Sequence, residues 1–232
     1  MPARSRGFHT PGRLGWILHK QGPLLALIGL MTVVFLLQQL ESSWWVPWMC
    51  VPAQVGEAWS GLQAGRFGVA EAHAILTLFT CALLHGGIDH LFYNMLALWI
   101  FGALVADLLG WRWLLLLFVA TAVGGSVCHV AFNHGSPVPC LGASGAVMGM
   151  EGAYLGLAVR FLLPEPQVWP MTRPVPPAHL AGLAVFGVVM DYMGLMDHEV
   201  MRIAYGAHIG GFTTGLLFVA LLAPLPKAAR PR

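Results

Sequence analysis

The chain has 232 residues, of which 57% are hydrophobic and only 9% are charged, whereas a soluble domain carries about 25% charged residues. This composition excludes an ordinary water-soluble domain and predicts a membrane protein. A net charge of +2 without a basic stripe argues against a nucleic-acid partner. The four cysteines include no CxxC pair, which argues against a zinc ribbon or a redox motif, and no metal site or cofactor is predicted.

Six apolar stretches follow one another along the chain, and each is close to the ~20 residues that a membrane-spanning helix needs. They are residues 22–39, 83–105, 113–132, 144–163, 179–196 and 205–223. The first stretch follows basic residues, as in a signal peptide, but it is long for such a peptide and lacks a small-residue cleavage site before Glu41. We therefore predict that it is the first span.

Two connecting segments have a distinctive composition. Residues 41–77 contain four tryptophans, a density that is typical of the boundary between membrane and water: Trp44, Trp45, Trp48 and Trp59. Residues 164–177 are rich in proline and predict a loop. The predicted fold is an all-α membrane protein, a six-transmembrane-helix bundle at residues 22–224 with a long interfacial loop between helices 1 and 2. Short tails flank it at residues 1–21 and 225–232.

The basic residues indicate the orientation of the bundle. With six spans, the two termini and the second and fourth connections share one side of the membrane. That side holds ten of the 12 lysines and arginines: Arg4, Arg6, Arg13, Lys20, Arg112, Arg160, Arg173, Lys227, Arg230 and Arg232. Because positive charge is enriched on the cytoplasmic side, both tails are predicted to be cytoplasmic. Spans two, four and six then enter the membrane from its outer side.

The fourth span begins with Gly142-Ala143-Ser144-Gly145. A serine between glycines at a helix start lets a substrate backbone approach its hydroxyl closely. The free N–H groups of the helix N-terminus would stabilise an oxyanion at the same place. Alone, this motif is a weak indicator, because small residues spaced four apart also mediate helix packing in membranes.

The first turns of the sixth and second spans carry further polar side chains. His208, in the sixth span, has a ring that titrates near neutrality and could accept a serine proton. Gly211 belongs to a glycine pattern that would bring this helix close to the fourth span. His90 and Asn94, four residues apart on one face of the second span, could stabilise negative charge on a carbonyl oxygen. Each motif also has a purely structural explanation, since such side chains commonly hydrogen-bond between membrane helices.

Together, the three motifs resemble the rhomboid family of intramembrane serine proteases. The matching segments lie within residues 80–217 and read HGGIDHLFYNM from His85, GASG from Gly142 and GAHIGG from Gly206. The resemblance implies a catalytic dyad with Ser144 as nucleophile and His208 as general base. It also implies an oxyanion hole that consists of the His90 and Asn94 side chains with the backbone of Ser144 and Ala143, and a structural role for His85.

The resemblance further implies what the protein acts on and where. Family members cleave transmembrane segments of membrane proteins near their outer ends, after lateral access past the fifth span. The implied location is a bacterial inner (plasma) membrane, with the active site open to the outer side. Lipid bilayer and transmembrane substrates are the implied partners.

The chain departs from the rhomboid pattern at several positions. Leu76 and Thr77 replace a Trp-Arg pair that is common in the family, which puts the anchoring of the first outer loop in question. Met148 replaces an aromatic residue one turn after the serine, and its thioether could pack on the histidine ring. Glu151 and Asp191 put carboxyl groups inside spans, where such groups are functional candidates.

Two other functions stay open on the sequence alone. A relative that binds transmembrane helices without cutting them would share the fold, and a serine-directed probe would distinguish it. Histidines near the outer surface could instead form a metal-binding or ion-transporting bundle, although no carboxylate or cysteine stands at a convincing ligand spacing. Cys50 and Cys140 both fall in outer loops, where an oxidising compartment would permit a disulfide.

Overall fold

The computed structural model describes residues 13–40, 43–165, 176–196, 204–226 and 229–231. Within these residues the chain forms eight α-helices: α1 (Arg13–Leu40), α2 (Pro52–Gln63), α3 (Val69–Thr80), α4 (Ile88–Leu109), α5 (Trp111–Phe132), α6 (Ser144–Arg160), α7 (Pro177–Met196) and α8 (Tyr205–Leu222). There are also two 3₁₀ turns, Val46–Trp48 and Cys81–Leu83, and an antiparallel pair of short strands, β1 (Phe161–Leu162) and β2 (Arg230–Pro231). The predicted all-α fold class is confirmed.

Four helices in the described part of the chain are long and apolar enough to cross a membrane. They are α4, α5, α8 and the part of α1 from Gln21 to Leu40. Three of them, α1, α5 and α8, expose large apolar side chains along their length, as a helix surface in lipid requires: Leu30, Val33, Leu36, Leu116, Val119, Val127, Leu217 and Leu221. The other two predicted spans correspond to α6, with 17 residues, and α7, whose described apolar part is Pro177–Val189. The chain is a multi-pass membrane protein, and the count of six spans stays a prediction.

Two helix boundaries differ from those expected from hydropathy. α1 begins at Arg13, so part of the predicted N-terminal tail is helical, and Pro23 lies inside the helix. Hydropathy marks where a chain enters lipid, whereas a polar segment can continue the helix beyond that point. The second span begins at Ile88 instead of residue 83, because the Gly86-Gly87 pair separates α4 from the preceding 3₁₀ turn.

The core of the bundle surrounds α6, which packs against α4, α5, α7 and α8. Its glycines would weaken an isolated helix in water by about 1 kcal/mol each, so tertiary packing must maintain it. Buried apolar side chains from five helices meet here: Leu24, Met31, Leu98, Phe101, Leu114, Leu117, Phe118, Met150, Tyr154, Leu157 and Val219. The residues of α6 are therefore held in fixed positions relative to the other helices.

Glycines allow the backbones of α6 and α8 to touch, as the glycine pattern predicts. A Cβ atom at Gly145 would lie 3.1 Å from the Ala207 carbonyl oxygen, and one at Gly211 would overlap the Gly145 carbonyl. At the other end of the same pair, the Arg160 side chain donates hydrogen bonds to the carbonyl oxygens of Val219 (2.8 Å) and Ala223 (2.9 Å). The Val219 carbonyl also accepts the Ala223 N–H at 3.2 Å, so the Arg160 side chain adds to the hydrogen bonding at the C-terminus of α8.

The predicted interfacial loop contains two helices, α2 and α3. Glu71 stabilises the start of α3, because its carboxylate accepts a hydrogen bond of 3.0 Å from the Gly68 N–H. Thr77, at one position of the missing Trp-Arg pair, is buried and donates a hydrogen bond within α3 to Ala74 (2.6 Å).

Backbone hydrogen bonds attach the α2–α3 segment (residues 43–87) to the loop before α6. Cys50 and Cys140 form an antiparallel bridge, in which the Cys50 N–H donates at 3.0 Å and the Cys140 N–H donates at 2.8 Å. The Ala53 N–H donates to the Ser136 carbonyl at 3.0 Å. The α2–α3 segment is therefore held by main-chain pairing, whereas the Trp-Arg pair that is common in the family is missing.

A second attachment joins the α2–α3 segment to α1. The His85 N–H donates to Gln38 Oε1 (3.1 Å), and Gln38 Nε2 donates to the His85 carbonyl (3.3 Å). Both side chains are buried. Burial, with a smaller contribution from the neighbouring His90 ring, lowers the pKa of His85 to about 4. The imidazole is therefore neutral at pH 7.

Substitution of Gly211 by alanine should destabilise the bundle. The added methyl group would overlap the Gly145 carbonyl, and overpacking of this kind costs about 1–3 kcal/mol. We expect Tm in detergent to fall by several degrees. The matched control is Gly29→Ala on α1, where nothing lies within 4 Å of the added Cβ. Equal melting of the two variants would contradict the packing described for α6 and α8.

The neutral His85 should make stability fall in acid. Its folded-state pKa of about 4 lies below the ordinary 6.5. Between these two pH values the imidazole is protonated in the unfolded chain but stays neutral in the folded chain. Stability from this group is complete above pH 6.5 and is lost as the pH falls towards 4, on the order of 3 kcal/mol in all. Thermal melts between pH 7.5 and 4 should show a smaller loss for His85→Gln than for the wild type; parallel curves would count against the assignment.

Candidate active site

Ser144 is the first residue of α6 and is half-buried. The preceding Gly142 has a φ of +126°, a conformation that residues with a Cβ rarely adopt. The Gly142 N–H donates to the Cys81 carbonyl at 2.9 Å. Ser144 lines a small cavity together with Gly142, Ser126 and Ala207. The glycine therefore shapes the turn that presents the serine hydroxyl at the helix start.

His208 lies in the first turn of α8, beside the N-terminus of α6. Its backbone N–H donates to the Ala204 carbonyl (3.3 Å), and its ring makes an edge contact with Tyr205, with centroids 6.3 Å apart. The close contact between Gly145 and Ala207 joins the residues that immediately follow Ser144 and precede His208. The fold thus brings the first turns of α6 and α8 into contact.

The His90 ring lies against the turn before Ser144. A Cβ atom at Gly142 would be 2.6 Å from His90 Cε1 and 2.7 Å from Nε2. The Gly86 N–H donates to His90 Nδ1 over a long 3.5 Å. A ring nitrogen that accepts a hydrogen bond carries no proton, so this contact favours the His90 tautomer with its proton on Nε2, on the side of Gly142.

Asn94 lies one turn further along α4 and is only 6% exposed. Its amide nitrogen Nδ2 has no hydrogen-bond partner among the described residues. A buried amide without a partner costs about 1–3 kcal/mol, so such a group in a folded protein needs an explanation. One explanation is that this N–H group is a donor for a bound ligand. Asn94 shares its helix face with His90, four residues earlier.

His85 supports His90 from the opposite side. The two rings are in edge contact, with centroids 5.4 Å apart and planes tilted by 66°. Both ring nitrogens of His85 are buried and have no hydrogen-bond partner within the described part of the chain. With its backbone held by Gln38, His85 restricts the movement of His90.

The role of His129 is not evident from its sequence context. This buried residue of α5 backs onto the turn before His208, because a Cβ at Gly206 would lie 3.2 Å from the His129 Cα. Asn133 donates to the His129 carbonyl (2.9 Å), and its amide nitrogen lies 3.3 Å from the ring nitrogen Nδ1. The one hint in the sequence is that His129 and Asn133 are four residues apart, which places them on the same face of a helix. In the described ranges, no three His, Cys, Asp or Glu side chains are close enough together to hold a metal ion.

Met148 and Glu151 lie on the face of α6 that packs against α7. Met148 contacts Ala184 and Phe212, and the Glu151 carboxylate would be 3.3 Å from a Cβ at Gly187. Both side chains are buried, each 9% exposed. This contact with α7 was not expected for Met148. The side chain of Asp191 lies outside the described residues.

Comparison with known proteins extends these observations. Residues 72–225 match the model of the Rhomboid domain. The chain is 34% identical to Rhomboid protease GluP of Bacillus subtilis, over 65% of this chain and 26% of that protein. It is 32% identical to RHOMBOID-like protein 1 of Arabidopsis thaliana, over 67% and 37% of the two chains.

A third relative is aligned over nearly the whole chain. The mitochondrial Rhomboid protein 1 of Saccharomyces cerevisiae is 28% identical over 97% of this chain and 60% of its own length. The chain therefore spans only part of each of these relatives. The domain match includes the turn before α6, the first turns of α4 and α8, and every helix between them. This chain belongs to the rhomboid family.

Proposed function

We propose that this protein is an intramembrane serine endopeptidase that cleaves transmembrane segments of other membrane proteins near their outer ends. One observation carries the proposal: the first turns of α6 and α8 touch at Gly145 and Ala207, which favours a meeting of Ser144 with His208. The relative named as a protease adds support. Serine, imidazole and amide donors are the groups that peptide-bond hydrolysis needs.

In this mechanism His208 acts first as a base and then as an acid. The Ser144 hydroxyl attacks the carbonyl carbon of the scissile peptide bond while His208 accepts its proton. The tetrahedral intermediate collapses, and His208 passes the proton to the departing amine, which leaves an acyl-enzyme on Ser144. A water molecule, deprotonated by the same imidazole, then releases the carboxylic acid and regenerates the serine. We propose a dyad without a third carboxylate.

Four donors would stabilise the oxyanion of the intermediate. They are Asn94 Nδ2, His90 Nε2–H and the backbone N–H groups of Ser144 and Ala143. The amide nitrogen of Asn94, which has no partner among the described residues, supports this assignment. It is already removed from water before a substrate binds, so its binding to an oxyanion costs no further desolvation. The N-terminus of α6 adds its partial positive charge at the same position. Loss of one such donor costs about 10²–10³ in kcat.

The site is proposed to open to the outer side of a bacterial inner membrane, with both termini in the cytoplasm. The distribution of basic residues supports this orientation. We propose that substrate helices enter past α7, which covers the Met148–Glu151 face of α6 through Ala184 and Gly187. The opposite face of α7 exposes Leu183 and Phe186, which suits a helix that can exchange contacts with lipid.

Ser144→Ala should abolish cleavage of a single-span substrate and also abolish labelling by a fluorophosphonate probe. The reason is that no other group can form the acyl-enzyme. The matched control is Ser60→Ala, an exposed serine of α2, which should keep both activities. Residual cleavage by Ser144→Ala would refute the nucleophile. A wild-type protein that folds but neither labels nor cleaves would favour the helix-binding alternative.

Asn94→Ala should lower kcat about 100-fold with little change in KM, because an oxyanion donor acts mainly in the transition state. Steady-state cleavage rates of a fluorogenic transmembrane substrate in detergent would measure both constants. Asn94→Asp is the matched variant, since it keeps the shape of the side chain but removes the donor. An unchanged kcat in either variant would remove Asn94 from the oxyanion hole.

A further inference from the structure

Three of the four cysteines come together beside Ser144, although they are far apart in sequence. Cys50 precedes α2, Cys81 begins the 3₁₀ turn before His85, and Cys140 stands four residues before Ser144. Cys50 and Cys81 share a small buried cluster, and Cys81 and Cys140 line the same cavity as Ser144. All three are free thiols in the structure.

The backbone arrangement singles out one pair among these thiols. Cys50 and Cys140 are directly opposite each other and exchange both backbone hydrogen bonds. Residues paired in this way have Cα atoms about 5.5 Å apart with side chains on one face, and disulfides span about 4.4–6.8 Å between Cα atoms. The Cys81 thiol hydrogen-bonds to Cys50 and also lies 3.4 Å from the Ser126 hydroxyl, but in the described part of the chain the Cys81 backbone is not paired with that of Cys50 or Cys140. Cys128 backs onto Gly210 of α8 and is outside the cluster.

We propose that Cys50 and Cys140 form a disulfide in the oxidising compartment outside the membrane. The bond would fasten the segment before α2 to the loop that leads into Gly142 and Ser144. It would make permanent a connection that the reduced protein maintains only through main-chain hydrogen bonds. The proposal does not depend on proteolytic activity: it follows from the backbone pairing, and it rests on the orientation proposed above, which places this loop on the outer side of the membrane.

The chemistry requires an external disulfide, such as oxidised glutathione. Cys140 is half-buried and therefore the accessible partner, whereas Cys50 is fully buried. The Cys140 thiolate attacks one sulfur of the donor and releases one thiolate. The Cys50 thiolate then attacks the Cys140 sulfur and releases the second. The two protons lost by the cysteines are taken up by the released thiolates, so the donor is reduced to two thiols as the pair is oxidised.

The environment of the pair predicts slow uncatalysed oxidation and a stable product. Burial raises the pKa of Cys140 to about 12, and the pKa of Cys50 is also raised, by hydrogen bonding to Cys81 and by burial. Thiolates are therefore scarce at pH 7, and the rate of oxidation should rise with pH. The reduced pair gains no stabilisation from thiolate formation, which is the situation that favours the disulfide.

Peptide mapping of the full-length protein tests the bond directly. The detergent-purified protein is incubated with oxidised glutathione at pH 8.5, alkylated with N-ethylmaleimide and digested with trypsin without reduction. Trypsin separates Cys50, in residues 21–66, from Cys81, in residues 67–112, and from Cys140, in residues 113–160. The last peptide also contains Cys128, so Cys128→Ser is mapped in parallel as the matched control.

We expect a disulfide between peptides 21–66 and 113–160 in both the wild type and Cys128→Ser. The oxidised protein should melt about 10 °C above the reduced protein, because the bond closes a long loop, and Cys50→Ser and Cys140→Ser should lose this difference. The proposal would be overturned if all four cysteines remained free thiols, or if Cys50 were bonded to Cys81. An unchanged Tm after the expected bond has formed would overturn the fastening role.

Discussion

The direct contact between the backbones of α6 and α8 organises the helix bundle. Lipid chains are as apolar as the helices themselves, so no hydrophobic force drives two spans together, and close packing of small residues must do so. Gly145 and Gly211 provide this contact near the N-termini of the two helices. Arg160 ties the opposite ends together through the last carbonyls of α8. The same contact brings together the first turns of the two helices, which carry Ser144 and His208.

The polar groups around this contact are maintained at a cost in stability. Asn94 and His85 keep buried nitrogens without partners among the described residues, and each such group would be better solvated in the unfolded chain. The surrounding attachments offset part of this cost. Gln38 fixes the His85 backbone, and the Cys50–Cys140 bridge fixes the loop before Gly142. Preorganised donors of this kind are what an oxyanion site requires.

Much of the fold and the residues of the site could be predicted from sequence, for identifiable reasons. Long apolar stretches report membrane helices directly, and the glycines of α8 predicted its contact with α6 because only residues without a Cβ permit it. The motif residues were found because polar side chains are rare inside spans. Their relative positions could not be read from spacing alone, since Ser144, His208 and His90 belong to three different helices.

Other features depend on tertiary contacts that leave no local signal. The tryptophans of residues 41–77 indicated an interfacial location but not the helices α2 and α3, because side-chain polarity at an interface does not specify backbone conformation. The roles of Met148 and Glu151 depend on which helix covers that face of α6, and the covering helix is α7. The backbone of His129 packs against Gly206, and this contact cannot be predicted from the residue type of either partner.

The central claim is that one hydroxyl and one imidazole cooperate at the starts of α6 and α8. An experimental structure of the protein with a covalent phosphonate inhibitor measures this most directly. We expect a bond from Ser144 Oγ to phosphorus, a His208 ring nitrogen within about 3 Å of that oxygen, and the phosphoryl oxygen facing Asn94 and His90. An adduct on a different residue, or a His208 ring turned away from Ser144 with no helix movement able to join them, would contradict the account.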